Sequence, residues 1–147
     1  MDKIVLDIET SNAFADVGGR NNFEAFNVSL IGAYSYNEDK YFSFDEHHIK
    51  EFGPLLQRTG LVIGFAINRF DLPILKKHYH FDIMAIPNLD LLDEIELVLG
   101  RRVSLNALAK ANLGLEKTDH GLEAITLYRE KKFDELRDYC LNDVKLT

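Results

Sequence analysis

The sequence is poor in the features that mark a secreted or membrane-spanning protein. One cysteine, Cys140, stands among 147 residues, so no intrachain disulfide can form. It lies in an apolar helical stretch with no base partner in view, which suits a buried, inert thiol. No apolar run approaches the ~18 residues that a membrane span needs. The first apolar stretch, Met1-Asp-Lys-Ile-Val-Leu-Asp, carries an acid inside it, which fits a strand and not the heart of an export signal. The expected compartment is the cytoplasm. Internal repeats, low-complexity tracts and linkers are missing too. Positive charge is scarce: 17 Lys and Arg against 24 Asp and Glu leave a formal charge of −7. That balance disfavours tight, non-specific binding to duplex phosphates. What remains is a chain with 46% hydrophobic and 28% charged residues, sized for one globular domain.

Residues 3–8 form a short apolar run of the kind found in buried central strands. Residues 11–26, with Gly18-Gly19 and Asn21-Asn22, read as a long loop. Val28 to Tyr36 is β-rich, and Asn37 to Lys40 turns it back into the alternating Tyr41 to Phe44, giving a hairpin. Glu46 to Arg58 has helical spacing, weakened at Gly53-Pro54. Leu61 to Phe65 reads as a second buried strand. Asp71 to Tyr79 reads as a helix, with Pro73 tolerated in its first turn. Leu89 to Leu91 forms a short strand after Pro87. Ser104 caps a helix that stops at Gly114, His120-Gly121 makes a turn, and Leu122–Lys131 and Phe133 to the end give two more helices. This order predicts an α/β domain, a mixed sheet under helical cover. The last helical pattern stops four residues after Asp143, so the natural chain or domain is expected to continue past residue 147.

Three acidic segments carry chemistry. In Asp7-Ile-Glu9-Thr10 the two carboxylates alternate on a strand and project to one side. They fall at a strand's carboxyl end, where ligands of open α/β sheets tend to sit. A solvated acidic turn explains the same tetrapeptide. In Asn68-Arg-Phe70-Asp71 another acid follows a buried strand and opens a helix, where simple capping is the ordinary use. In Tyr139-Cys-Leu-Asn-Asp143 a phenol and a carboxylate share one helical face, as they do on many polar surface helices.

Taken together, these segments resemble the three motifs of the DEDD superfamily of 3′–5′ exonucleases, over nearly the whole chain. The first two match in order. The third matches in its tyrosine form, the DEDDy branch, because Tyr139 lies four residues before Asp143 and position 138 is Asp rather than the histidine of other branches. Ser104-Leu-Asn-Ala-Leu-Ala and Leu113-Gly-Leu look like the segment preceding the third motif in exonuclease domains related to family B polymerases. The resemblance implies a ribonuclease H-like fold with a five-stranded mixed sheet. It also implies that Asp7, Glu9, Asp71 and Asp143 hold two divalent cations, Mg²⁺ or Mn²⁺. An all-oxygen donor set suits such hard ions and disfavours zinc. Two of them would take up four of the seven net negative charges. Tyr139 would orient the attacking water, since a phenol of pKa ~10 is a poor general base. The implied reaction trims single-stranded or frayed 3′ ends to nucleoside 5′-monophosphates. DNA is expected ahead of RNA, a choice that rests on contacts to the 2′-hydroxyl, and the domain is expected to work within a larger polymerase- or helicase-linked protein.

The remaining features are open to two readings each. Relatives often follow the acid-Thr pair with Thr and Gly, whereas Ser11-Asn12 stands here. Thr10 and its neighbours would meet the terminal nucleotide through backbone amides. Phe14 and Phe70 would stack on bases or pack into the core. Asn68 would contact substrate or order the start of a helix. Asp90 reads as support for the site more than as a ligand. His78 and His80 show no third zinc ligand. Lys76-Lys77, Arg101-Arg102 and Lys131-Lys132 would track a nucleic-acid backbone or simply end helices. Two rival functions stay in view, an inert binding module and a structure-selective endonuclease. An aspartyl-phosphate phosphatase fits poorly, since the Asp-x-Asp-x-Thr segment and the lysine motif are missing.

Overall fold

The computed structural model describes residues 1–19, 21–115 and 121–147. Its centre is β1 (Asp2–Thr10), whose alternation decides what each side of the sheet does. Ile4, Leu6 and Ile8 are buried on one face; Asp7 and Glu9 point to the other and are half-buried. β2 (Val28–Ser35) pairs antiparallel with β1, and β3 (Lys40–Asp45) closes the hairpin onto β2. A 3-10 turn at Ile49–Phe52 leads into α1 (Gly53–Gln57), with Pro54 in the first helical turn, where its missing N–H costs nothing. β4 (Thr59–Gly64) then runs parallel to β1. α2 (Asp71–Leu75) is followed by β5 (Asn88–Asp90), parallel to β4. The sheet order β3-β2-β1-β4-β5 makes the expected five-stranded mixed sheet.

Four more helices follow among the described residues: α3 (Leu91–Leu99), α4 (Leu105–Leu113), α5 (Gly121–Arg129) and α6 (Phe133–Leu146). Ile4, Leu6, Ile8, Ile31 and Val62 pack with Leu55 and Leu56 of α1 and Leu72, Ile74 and Leu75 of α2. Leu30 packs with Ala124 and Leu127 of α5 and Leu136, Tyr139 and Cys140 of α6. No helix of the described residues is long and apolar enough to cross a membrane.

Several boundaries differ from the sequence reading. The loop of residues 11–26 contains two 3-10 turns, Phe14–Val17 and Phe23–Ala25. The helix expected to reach Tyr79 is α-helical only to Leu75 and tightens to 3-10 over Lys76–His78. Leu91 opens α3 instead of ending β5, because the Asp90 carboxylate accepts from Leu92 N and caps the helix. Ser104 and Gly114 bound α4 as expected. His120 lies outside the described residues, and Gly121 is the first residue of α5.

Candidate metal centre

The alternation of β1 sets Asp7 and Glu9 side by side on the face that α6 covers. Asp71 reaches the same strand from the other neighbour of β1: as first residue of α2 it extends its carboxylate until Oδ2 accepts from Ile8 N, 3.0 Å away. It is only 4% exposed. Asp143 is equally buried and arrives on α6, whose Tyr139, Cys140, Asp143 and Val144 all face inward. The Cys140 thiol feels the charges of Asp7, Glu9 and Asp143 together, and the Asp71 carboxyl feels that of Asp7. The four predicted carboxylates therefore converge. Tyr139 packs beside Leu30, the β2 partner of Glu9.

Without a cation this convergence is unfavourable. Burial, and then the Asp7 charge, hold the Asp71 carboxyl well above its ordinary range, with the Ile8 N–H working the other way. Burial followed by the same acidic neighbours pushes the Cys140 thiol up, so it stays a neutral S–H. Its Sγ lies 3.5 Å from Asp7 Oδ2 and 3.6 Å from Asp7 O, within reach to donate a weak hydrogen bond to either. Carboxylates that must keep a proton to remain buried are relieved by divalent cations, and oxygen donors from four acids match hard ions such as Mg²⁺ and Mn²⁺. Among the described residues, the one group of three or more metal-ligating side chains in mutual reach is Asp7, Glu9 and Cys140, their ligand atoms within 4.8 Å. The residues thus fit a divalent-cation site.

Around these acids the other expected residues take definite places. Thr10 is buried, follows a register shift in the β1–β2 ladder, and donates its hydroxyl to Asn12 O at 2.9 Å. Phe14, 40% exposed, stands edge-on to Phe26 and Phe70, with centroid distances of 5.4 and 5.6 Å. Phe70 and Phe26 are themselves edge-on at 5.4 Å, so the three rings form one aromatic cluster next to Asp71. The Asn68 amide donates to Asp93 Oδ2 at 3.0 Å. Arg69 and Arg102 pair with Glu96, Lys132 pairs with Glu130, and Lys77 Nζ donates to the carbonyls of Glu24 and Phe26. Several of the basic side chains are thus already engaged within the protein.

Two residues of the centre had no part in the expected site. Gly32 faces Asp7 across the β1–β2 ladder. A Cβ there would lie 2.8 Å from Cys140 Sγ, so its small size lets α6 settle close to the acids. Cys140 itself touches Asp7. The available signal was helical spacing: Cys140 precedes Asp143 by three residues and so shares its face.

The profile of the RNase H superfamily matches residues 4–145. A search of curated proteins finds no match. Among solved structures, the family B DNA polymerase of the hyperthermophilic archaeon Pyrobaculum calidifontis aligns with all of this chain at a TM-score of 0.76 and 16% identity. The chain corresponds to 23% of that polymerase's length, and at this identity the likeness speaks for the fold.

Proposed function

The chain belongs to the RNase H superfamily, and from that premise we propose that it is a two-metal 3′–5′ exonuclease of the DEDDy type. The observation that carries this reading is the convergence of Asp7 and Glu9 from β1, Asp71 from α2 and Asp143 from α6 at one end of the central strand. In this reading Asp7, Glu9, Asp71 and Asp143 hold Mg²⁺ or Mn²⁺. Ions held there would supply Lewis-acid chemistry: activation of a water and stabilisation of charge on a leaving 3′ oxygen. Tyr139 orients that water by hydrogen bonding, its phenol being too weak a base to take the proton at neutral pH. Phe14 and Phe70 stack on the terminal bases, while Thr10, beside the register shift, offers backbone groups to the last nucleotide. Asn68, whose side chain is engaged by Asp93, orders the turn before Asp71 and meets substrate through that turn.

The preferred substrate is a single-stranded or frayed 3′ end, DNA ahead of RNA, and the products are nucleoside 5′-monophosphates. The likeness to part of a polymerase supports work within a larger protein. End-labelled DNA and RNA oligonucleotides, with Mn²⁺ and with chelator, test the proposal. A ladder shortening from the 3′ end is expected, and Asp7→Ala or Asp143→Ala should reduce it by roughly 100-fold or more, the scale of losing one preorganised electrostatic partner. Internal cuts would instead support a structure-selective endonuclease. Calorimetry showing no Mn²⁺ binding, or full activity in either folded variant, would overturn the metal mechanism in favour of an inert module or different chemistry.

A further inference from the structure

The chain passes from β4 to α2 through a tight turn, and that turn decides where Asp71 stands. Ala66 sits in the left-handed region at φ 63°, unusual for a residue with a Cβ and maintained only where surroundings enforce it. The enforcement comes from Asp90, at the end of β5 and 3% exposed. Its Oδ1 accepts from Ala66 N at 2.8 Å and its Oδ2 from Asn68 N at 3.0 Å, residues 24 and 22 positions earlier in the chain. The same Oδ1 accepts from Leu92 N at 3.0 Å, capping α3. An N-cap satisfies amides of its own helix; here two of the three N–H groups belong to a distant turn.

The held turn is continuous with the metal centre. Arg69 N and Phe70 N donate to Ala66 O, and Leu72 N donates to Ile67 O, so the fixed residues pass directly into the first turn of α2. Side chains of the turn reinforce the attachment: Asn68 donates to Asp93, and Arg69 pairs with Asp93 and Glu96 on α3. At the far end of this bracing, Asp71 Oδ2 meets Ile8 N between the two acids of β1.

We infer that Asp90 is a positioning residue for the metal centre, bolting the Ala66–Asn68 turn so that Asp71 faces Asp7 and Glu9. Its effect on catalysis rests on the exonuclease reading; its effect on Asp71 does not. Asp90→Ser keeps a hydroxyl to cap α3 but cannot span both turn amides. Asp90→Asn is isosteric, keeps one acceptor oxygen, and sets an NH₂ against one of the amides. Each variant would be measured for cooperative thermal unfolding, Mn²⁺ affinity by calorimetry, and the chemical shift and exchange of the Ile8 amide proton without metal. Expected are a folded Asp90→Ser protein, a 10- to 100-fold weaker Mn²⁺ affinity on the scale of lost outer-shell partners, and a shifted, less protected Ile8 amide, with smaller changes of the same kind in Asp90→Asn. Wild-type affinity together with an unchanged Ile8 amide in either folded variant would reduce Asp90 to a helix cap and overturn the inference. A wild-type chain that binds no Mn²⁺ would remove the exonuclease reading alone, since the Ile8 amide tests the bolt without a cation.

Discussion

Replacing Gly32 by alanine puts the packing of α6 against the sheet to a quantitative test. The added Cβ would lie 2.8 Å from Cys140 Sγ, 3.2 Å from Val144 Cγ2 and 3.3 Å from Leu141 Cδ2. Ordinary contacts between carbon atoms fall at about 3.5–4.0 Å. All three crowded atoms ride on α6, so one rotamer change cannot relieve them and the helix must lift by several tenths of an ångström. Overpacking of this kind costs about 1–3 kcal/mol, against which alanine recovers about 0.5–1 kcal/mol of glycine's backbone entropy. The net loss expected is about 1 kcal/mol, within bounds of roughly 0–2.5 kcal/mol, a fall in Tm of roughly 2–5 °C for a domain of this size. Lifting α6 also draws Asp143 and Tyr139 away from β1, and since a displacement of ~1 Å can cost ~100-fold, a drop in kcat of roughly tenfold should follow. Cys140→Ala removes the nearest of the clashing atoms. In a double-mutant cycle read by urea denaturation, Gly32→Ala combined with Cys140→Ala should be about 1 kcal/mol more stable than the sum of the single changes predicts. Additivity within about 0.5 kcal/mol would show that α6 yields without strain and refute the reasoning.

Other perturbations probe different parts of the site. Gly64→Ala should be more damaging, about 3 kcal/mol or more, because its Cβ would lie 2.1 Å from Ile67 Cγ2 and 3.1 Å from Leu6 O; a smaller shift in denaturation midpoint than that of Gly32→Ala would contradict this. The Asp71 carboxyl is raised above its ordinary value of 3.8 in the folded chain. Its contribution to metal-free stability is therefore complete below that ordinary value and lost as pH rises through the raised one. With chelator, Tm should fall as pH increases across that window, Mn²⁺ should restore it increasingly, and Asp71→Asn should flatten both trends; a flat wild-type profile would count against the buried proton. Phe14→Ala removes two edge-on aromatic contacts, so about 1–2 kcal/mol of stability should be lost, and KM for single strands should rise more than kcat falls if the ring stacks on substrate. An unchanged KM would make Phe14 purely a packing residue.

Much of this architecture was legible because it rests on local periodicity. The apolar run of β1, the hairpin of β2 and β3, the Ser104 cap and the Gly114 stop each follow from a few neighbouring residues. The four acids were proposed for a different reason: Asp7 and Glu9 alternate along the later half of β1, Asp71 opens α2, and Asp143 shares a helical face with Tyr139, so each carboxylate is committed to one side. What could not be read were pairings across the chain. Nothing local ties Gly32 to Cys140 or Asp90 to Ala66, because those contacts exist only once the sheet order is set. Helix lengths failed similarly: Lys77 reaches the carbonyls of Glu24 and Phe26 where the α-helix tightens, a contact no helical pattern contains.

The Asp7–Cys140 contact joins residues 133 positions apart. Asp7, Glu9 and Asp71 come early in the sequence, and the fourth acid, Asp143, comes only with α6. Synthesised from the amino terminus, the chain can form β1, the hairpin, β4 and α2 well before Asp143 exists. A nascent domain in that condition holds most of the proposed metal centre and lacks the carboxylate that would complete it. The order of residues thus acts as a timing device: the jaws are assembled open, and the closing rivet arrives only with α6, after the other three acids.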